Sequence, residues 1–399
     1  MASRLRWVVL GIFVISTALN YLDRLLLAAL APTLKSEFHL SNTQYGGVIS
    51  VFSIVYAVMA PVAGWFIDRV GLNVGITVSM AVWSLAGMAT GLTRSFGGLL
   101  ASRTVLGIGE AAGIPCAGKA NGLYLQPREL ALGTALNQVG ITVGSIAAPL
   151  MVAMIAPAYG WRSVFVVCGS LGFLWIPLWW VTAKKLPAPK TEISATPSGI
   201  AKILRDRRIW GLAAANALVM TLYTLWTNWT TVYFVEQHHL TEIQANENFA
   251  WIPPVFATLG GFAGGWMAFR SIGQSQAGRT GTDVLRARLR ICWLAAAVLL
   301  LTAAVPLMPT PALAAALISF SFFWCLAIST NLYAMPIDFF GARHAAFGVS
   351  ILTASYGLMQ TVLSPLIGAM VDHFGFPVVC ISLSVMPLAG ITILRATTR

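Results

Sequence analysis

The chain has 399 residues, of which 57% are hydrophobic and only 10% charged. Soluble globular proteins carry about a quarter charged residues, so this composition excludes an ordinary soluble domain and points to a chain that lives in lipid. The net charge of +12 reads as an excess of Lys and Arg in the loops on one side of a membrane, which argues against a nucleic-acid partner.

Apolar runs of roughly 20 residues, each long enough to span a bilayer as a helix, recur from end to end. Twelve are predicted: 6–32, 43–67, 73–91, 97–124, 129–156 and 161–183, then 209–235, 247–269, 286–306, 311–333, 343–371 and 376–395. The first carries Asp23 and Arg24 in its interior and shows no small-residue cleavage site after a short apolar core. A retained helix is therefore expected rather than a signal peptide. Pro187, Pro189 and Pro197 mark a seam among closely spaced basic residues. The predicted domains are a six-helix bundle over 1–183, a linker over 184–208 and a second six-helix bundle over 209–399. With both termini cytoplasmic, Arg4, Arg6, Arg69, Arg128, Arg343, Arg395 and Arg399 fall inside, together with the basic stretches 184–208 and 270–290. Only Lys35, Arg94 and Arg162 are then left outside.

The halves read as repeats. Gly64-Trp65-Phe66-Ile67-Asp68-Arg69 is matched by Gly265-Trp266-Met267-Ala268-Phe269-Arg270, and Gly140 and Pro149 correspond roughly to Gly357 and Pro365. Cys116, Cys168, Cys292, Cys325 and Cys380 all lie in apolar runs without metal-ligand spacing. They read as small buried hydrophobes, and no metal site is expected.

Asp23, Arg24 and Glu110 sit inside apolar runs, and an intramembrane ionisable residue is a functional-site hypothesis by default. Arg24 offers a fixed charge and a fork of donors that fits a carboxylate, so it is the candidate anchor of an anionic substrate. Adjacent helical residues diverge by about 100°, which keeps Arg24 from pairing with Asp23. Arg103 and Glu110, seven residues apart, share one helix face. The expected arrangement pairs Asp23 with Arg103 and turns Glu110 toward Arg24. Asp23 and Glu110 are the candidate proton carriers, with the proton as coupling ion and no other cofactor. Lys119 is expected to snorkel to the interface. Tyr21, Tyr56, Gln138, Trp226, Asn331, Tyr356 and Gln360 are polar-tipped residues within predicted helices, suited to the hydroxyls and C–H faces of a polyol. Asp68, Arg69, Arg128 and Arg343, at helix ends, are the candidate gating charges.

Four segments and one tryptophan carry a family resemblance. Gly64-x-x-x-Asp68-Arg69-x-Gly71 resembles the loop motif of the major facilitator superfamily, although Leu72-Asn73 departs from its basic ending. Asn20-Tyr21-Leu22-Asp23-Arg24 and Arg103-x-x-x-Gly107-x-Gly109-Glu110-Ala111 resemble motifs of its anion:cation symporters. Asn137-Gln138-Val139-Gly140 resembles a segment of theirs with a substrate-contacting Gln, and Trp226 a cavity aromatic. That family includes bacterial hexuronate, glucarate and galactonate carriers and, more distantly, sialin and vesicular glutamate transporters. The resemblance implies an all-α fold of twelve membrane helices in two pseudo-symmetric bundles, with a substrate site near the bilayer midplane. It also implies proton-coupling roles for Asp23 and Glu110. Three departures bear on substrate: Trp226-Thr227-Asn228-Trp229 replaces a Trp-Leu-Pro-Lys stretch, Val219 or its apolar neighbours stand where the glutamate carriers place a second Arg, and Ala354-Ser355 fall near where sugar-acid carriers place a substrate-contacting Asn.

The expected protein is an inner-membrane, multi-pass, monomeric symporter of protons and a small organic anion, a sugar acid above all. An organophosphate:phosphate exchanger would want arginines from both halves, and a multidrug/proton antiporter an acidic cavity that Arg24 spoils. A receptor would need signalling domains. An enzyme would need a nucleophile or metal-ligand set that the chain does not offer. No G-x-x-x-x-G-K-[ST] motif supplies an ATP-driven engine.

Overall fold

The computed structural model describes residues 2–126, 129–186, 203–273 and 281–398, and all regular structure among them is helical. The chain runs through α1 (Ala2–Ala29), α2 (Ala31–Glu37), α3 (Asn42–Val70), α4 (Leu72–Gly91), α5 (Phe96–Glu110), α6 (Gly113–Tyr124) and α7 (Leu130–Ala183). It continues through α8 (Arg207–His238), α9 (Glu242–Ala245), a π-turn (Asn246–Ala250), α10 (Ile252–Gly273) and α11 (Gly281–Val298). A 3-10 segment (Leu299–Leu307), α12 (Pro311–Phe340), α13 (Ala342–Ser384) and α14 (Met386–Thr398) complete it.

Among the described residues, nine helical stretches are long and apolar enough to cross a membrane. Two of them are double, because α7 breaks at Gly160 and α13 at Gly375, with φ of 78° and 74°. Both breaks fall at the boundaries expected from sequence. The predicted 97–124 helix is instead two helices, α5 and α6, interrupted at Ala111 and Ala112 directly after Glu110. Large apolar side chains such as Val58, Val62, Trp65, Leu259, Phe262, Trp266 and Phe269 are exposed, the pattern expected of helices whose outer face meets lipid rather than water. Most of the 184–208 linker lies outside the described residues. Where the chain resumes, Asp206 accepts hydrogen bonds from the Arg208 backbone N–H and guanidinium at 2.7–3.1 Å. These bonds hold its carboxyl below the usual range.

The described chain forms two compact units: Met1–Glu192 with Phe234–Trp251, and Ile193–Tyr233 with Ile252–Arg399. The assignment of Phe234–Trp251 to the first unit has a visible cause. The amide of Asn246 donates to the carbonyl of Ala29, the last residue of α1, at 2.8 Å. One turn away, Glu242 accepts from the backbone N–H and hydroxyl of Thr33 at 2.8 and 3.0 Å, in the first turn of α2. The short helix and the π-turn that follows it thus supply caps to both sides of the α1–α2 break, where backbone groups have no intrahelical partner. Lys35 adds an ion pair with Glu236.

Within the first unit, α1 lies against α7 at backbone contact. A Cβ at Gly140 would stand 2.6 Å from the Val14 carbonyl oxygen, and one at Gly144 would stand 2.2 Å from that of Ala18. Phe13 closes the seam edge-on to Trp175 and Trp179, with centroids at 5.9 and 5.1 Å. In the second unit, Tyr233 packs edge-on between Trp226 and Phe376 at 5.5 and 5.2 Å and donates to the Val305 carbonyl at 3.0 Å.

The structure adds a repeat that sequence reading passed over. His39-Leu40-Ser41 precedes α3 and His239-Leu240-Thr241 precedes α9. Both histidines adopt positive φ, 52° and 55°, and both hydroxyls form reciprocal capping boxes with a Gln three residues on.

Gly71 ends α3 and starts α4 at φ 84°, ψ 160°, a conformation open essentially to glycine alone. No atom within 4 Å would meet an added Cβ there or at the helical Gly64. Gly71→Ala is therefore expected to lower stability by about 1–3 kcal/mol through the backbone alone, while Gly64→Ala is neutral or mildly stabilising. Thermal unfolding of the two variants in detergent checks this.

Candidate functional site

The site is built on α1, α3 and the end of α5, all in the first unit. Glu110 is the last residue of α5, completely buried, and its Oε2 accepts from Arg24 Nε at 3.0 Å and Nη2 at 2.9 Å. Arg24 Nη2 also donates to Asn20 Oδ1, one turn back on α1, at 3.2 Å. Three rings enclose the guanidinium: Tyr21, Phe52 and Tyr56, with centroids 4.8, 4.9 and 4.7 Å from Cζ. Such rings attract a cation through their quadrupoles, and more strongly away from water. The Arg24 side chain remains 19% exposed while that of Glu110 is sealed, so the cation is the member of the pair that an incoming anion can reach.

α5 carries Glu110 this deep because its neighbour is a glycine. A Cβ at Gly109 would come within 2.7–3.0 Å of the Trp83 backbone and Cβ on α4, so only glycine permits the approach. The break at Ala111–Ala112 follows at once, and Gly113 then packs under the Asn20 amide.

The expected pairing of Glu110 with Arg24 is present, and that of Asp23 with Arg103 is not. Asp23 is 3% and Arg103 1% exposed, yet Asp23 Oδ1 and Arg103 Nε and Nη2 have no hydrogen-bond partner. Arg103 lies instead over Phe165 of α7, 5.5 Å from its centroid, and Asp23 points toward Gly87 on α4. Glu110 Oε1 is likewise buried without a partner.

Tyr21 and Tyr56 join the cluster, whereas Gln138 is exposed on α7. In the second unit Trp226 is 2% exposed, its Nε1 unpaired, and it serves as packing against Tyr233. Tyr356 is half-buried with its ring 6.3 Å from that of Tyr223, and Gln360 stands half-buried one turn further along α13. Asn331 is fully buried and its amide is engaged: it donates to the Gly264 and Ala327 carbonyls at 3.2 and 2.9 Å and accepts from Arg288 at 3.3 Å. Arg288 in turn pairs with Asp338 at 2.7 Å, so Asn331 belongs to a packing network. Asp68 pairs with Lys119 at 2.5 Å, so the Lys119 ammonium reaches the exposed end of α3. Arg69 stacks over Trp65 at 5.5 Å, and its repeat mate Arg270 over Trp266 at 4.1 Å. Arg343 lies in the first turn of α13, and Arg128 falls outside the described residues.

Sequence reasoning missed Phe52 and gave Asn20 no role. The available signal was spacing: Phe52 and Tyr56 are four apart on α3, as are Asn20 and Arg24 on α1, and such residues share a helix face.

The sequence profile of the Major Facilitator Superfamily matches residues 13–335. The chain belongs to the Major Facilitator Superfamily. Within the superfamily it is 28% identical to the hexuronate transporter of Escherichia coli (strain K12) over 407 residues, covering 97% of this chain and 92% of that protein. It is 33% identical to the galacturonate transporter of Dickeya chrysanthemi over 284 residues, 66% of this chain and 81% of the other. In fold it is similar to a bacterial homologue of the human lysosomal transporter Spinster, crystallised in an inward-facing and occupied conformation. The TM-score is 0.80 at 19% identity, over 99% of this chain and 97% of that one. A superfamily member of this kind is a membrane transport protein and not an enzyme.

Removing one member of a buried ion pair leaves the other charge uncompensated, at a cost of about 3–5 kcal/mol. Arg24→Leu is expected to destabilise the protein on that scale, because Glu110 is sealed. Arg24→Leu combined with Glu110→Leu should recover most of the loss. Denaturant unfolding of the two single variants and the double variant measures this coupling.

Proposed function

We propose that this protein is a proton-coupled symporter of a small organic anion of the sugar-acid class, working by alternating access. The carrying observation is Arg24, partly open and boxed by aromatic rings, with the sealed Glu110 as its counterion. The names of the relatives, hexuronate and galacturonate transporters, support the substrate class. Twelve crossings in two six-helix bundles, both termini cytoplasmic, the inner membrane of the cell and a monomeric state belong to the same reading.

The coupling follows from competition for one cation. A substrate carboxylate offers Arg24 the same two-pronged acceptor that Glu110 offers. When the anion takes the guanidinium, Glu110 is left buried without its partner. A lone buried charge is costly, and Glu110 is relieved of it by taking a proton. Anion and proton are then loaded together, and the pair reorients without a bare charge in the membrane interior. Release reverses the order: the proton leaves, Glu110 recaptures Arg24 and the anion departs. Asp23, buried beside the Arg24 backbone with an unpaired oxygen, is the second proton carrier, and Arg103 the fixed charge that biases it. The rings of Tyr21 and Tyr56 hold the guanidinium in place and offer flat faces to the C–H surface of a sugar ring.

Purified protein in liposomes should accumulate D-galacturonate or D-glucuronate when the outside is made acidic. Arg24→Ala should abolish uptake. Glu110→Gln should retain exchange of labelled for unlabelled substrate while losing its response to the proton gradient. No carboxylate flux under any gradient, from protein that elutes as a folded species, overturns the reading.

A further inference from the structure

The Gly-Trp repeat ends differently in the two halves. Asp68 of the first is matched by Phe269 in the second, and the arginine that follows is kept in both. In the second unit, α10 packs on α12 through its glycines. A Cβ at Gly260 would stand 2.0 Å from the Phe323 carbonyl oxygen, and one at Gly264 2.5 Å from that of Ala327. Leu259, Phe262, Trp266 and Arg270 recur at helical spacing on the side turned away from α12, and all are exposed. α11 leans on the same neighbour, since Arg288 pairs with Asp338 of α12 at 2.7 Å. Arg290, two residues on, therefore turns away from α12 and is exposed. α10 ends and α11 begins at one face of the membrane and the two helices touch, so their outward sides form one surface there: an apolar stripe headed by two arginines. Neither Arg270 nor Arg290 is in an ion pair among the described residues. Phe269, standing where the first half has its acid, is 76% exposed. Arg270 lies over the Trp266 ring with Cζ 4.1 Å from the centroid. Stacking of this kind uses the flat face of the guanidinium and leaves the N–H donors along its edge to bind an anion.

We infer that this corner of the second unit binds an anionic phospholipid, its phosphate taken by Arg270 and Arg290 and an acyl chain laid along Phe262 and Leu259. Trp266 holds Arg270 in place beforehand, which lowers the ordering cost of binding. A phosphodiester accepts two parallel bonds from a guanidinium, and arginines gathered where a helix leaves the membrane attract anionic lipid. The chemistry required is a fixed negative charge joined to a long apolar tail, and the surface offers its complement in that order along the helix. The first half has the same exposed Val58, Val62 and Trp65 and the same stacked arginine. There, however, Asp68 stands beside Arg69 and draws in Lys119, and a carboxylate at the head of the stripe repels a phosphate. The site is independent of the transported substrate.

Native mass spectrometry of the full-length protein, released from detergent micelles carrying phosphatidylglycerol or phosphatidylcholine, tests this. The wild type is expected to retain phosphatidylglycerol in preference to phosphatidylcholine. Arg270→Gln and Arg290→Gln should each weaken phosphatidylglycerol roughly fivefold and leave phosphatidylcholine unchanged. Phe269→Asp, which restores the acid of the first half, should remove the preference with both arginines intact. Arg69→Gln, in the first half, should leave it as it is. sn-Glycerol 3-phosphate at the same concentration should displace no lipid, because it lacks the chains. All four positions are exposed, so the variants are expected to fold, and thermal unfolding in phosphatidylcholine micelles checks that. Equal retention of the two lipids by the wild type, a preference that the second-unit variants do not move, or an equal loss in Arg69→Gln overturns the inference. So does displacement by the free head group, or a dimer mass lost in Phe269→Asp, which would make this face a contact between copies of the chain.

Discussion

The structure depends on a single charge pair held where charge is expensive. Arg24 and Glu110 meet at 2.9 Å inside predominantly apolar helices. Much of what surrounds them serves that meeting. Gly109 lets α5 close on Trp83, the helix breaks immediately after Glu110, and Asn20 holds the guanidinium from one turn below. Neither ion would be tolerated alone in this setting. That mutual dependence gives the site its chemistry: whatever displaces one partner must compensate the other.

The aromatic enclosure refines this. A guanidinium with three rings around it is partly desolvated yet not neutralised, since rings supply a quadrupole and no net charge. The cation stays hungry for an anion while its position is fixed, and fixing it in advance lowers the ordering cost of binding. Arg24 differs in this respect from Arg103, which lies over one ring, is almost wholly buried and has two donor atoms unmatched. In the proposed cycle the first arginine is the one exchanged between anions, and the second is a fixed field.

Much of the helical layout was legible in the sequence because lipid imposes one rule on every crossing, a long apolar run. The breaks at Gly160 and Gly375 were legible because each sits where such a run ends beside Trp161-Arg162 or Asp372-His373. The break at Ala111–Ala112 also had a signal, one that was passed over: Pro115 has no N–H for the Ala111 carbonyl and its ring crowds that carbonyl, with Gly113 beside it. The π-turn Asn246–Ala250 was silent in the sequence, and its first residue bonds to Ala29, more than two hundred residues away. Of the site, the ions were visible because a charge in an apolar run has no bland explanation. Phe52 was invisible because a phenylalanine in an apolar run has one. Helical spacing correctly set Arg103 and Glu110 on one face and Asp23 and Arg24 apart, but spacing fixes azimuth on a single helix and not which neighbouring helix fills the gap. Hence Arg103 found Phe165 where Asp23 was expected, and Asn331, polar within a membrane helix, turned out to be saturated by its own neighbours.

The glycine seam between α1 and α7 has a mechanical consequence. Backbones this close, with carbonyl oxygens seated where side chains would stand, cannot slip past one another by a fraction of a turn without collision. α1 therefore has no independent freedom to carry Arg24 toward or away from a ligand. The arginine can travel only as cargo of the whole α1–α7 slab, while fine adjustment is left to its own four side-chain torsions. In the proposed transport cycle, long-range displacement and local recognition would thereby fall to different degrees of freedom, and a substitution that loosened the seam would blur the two.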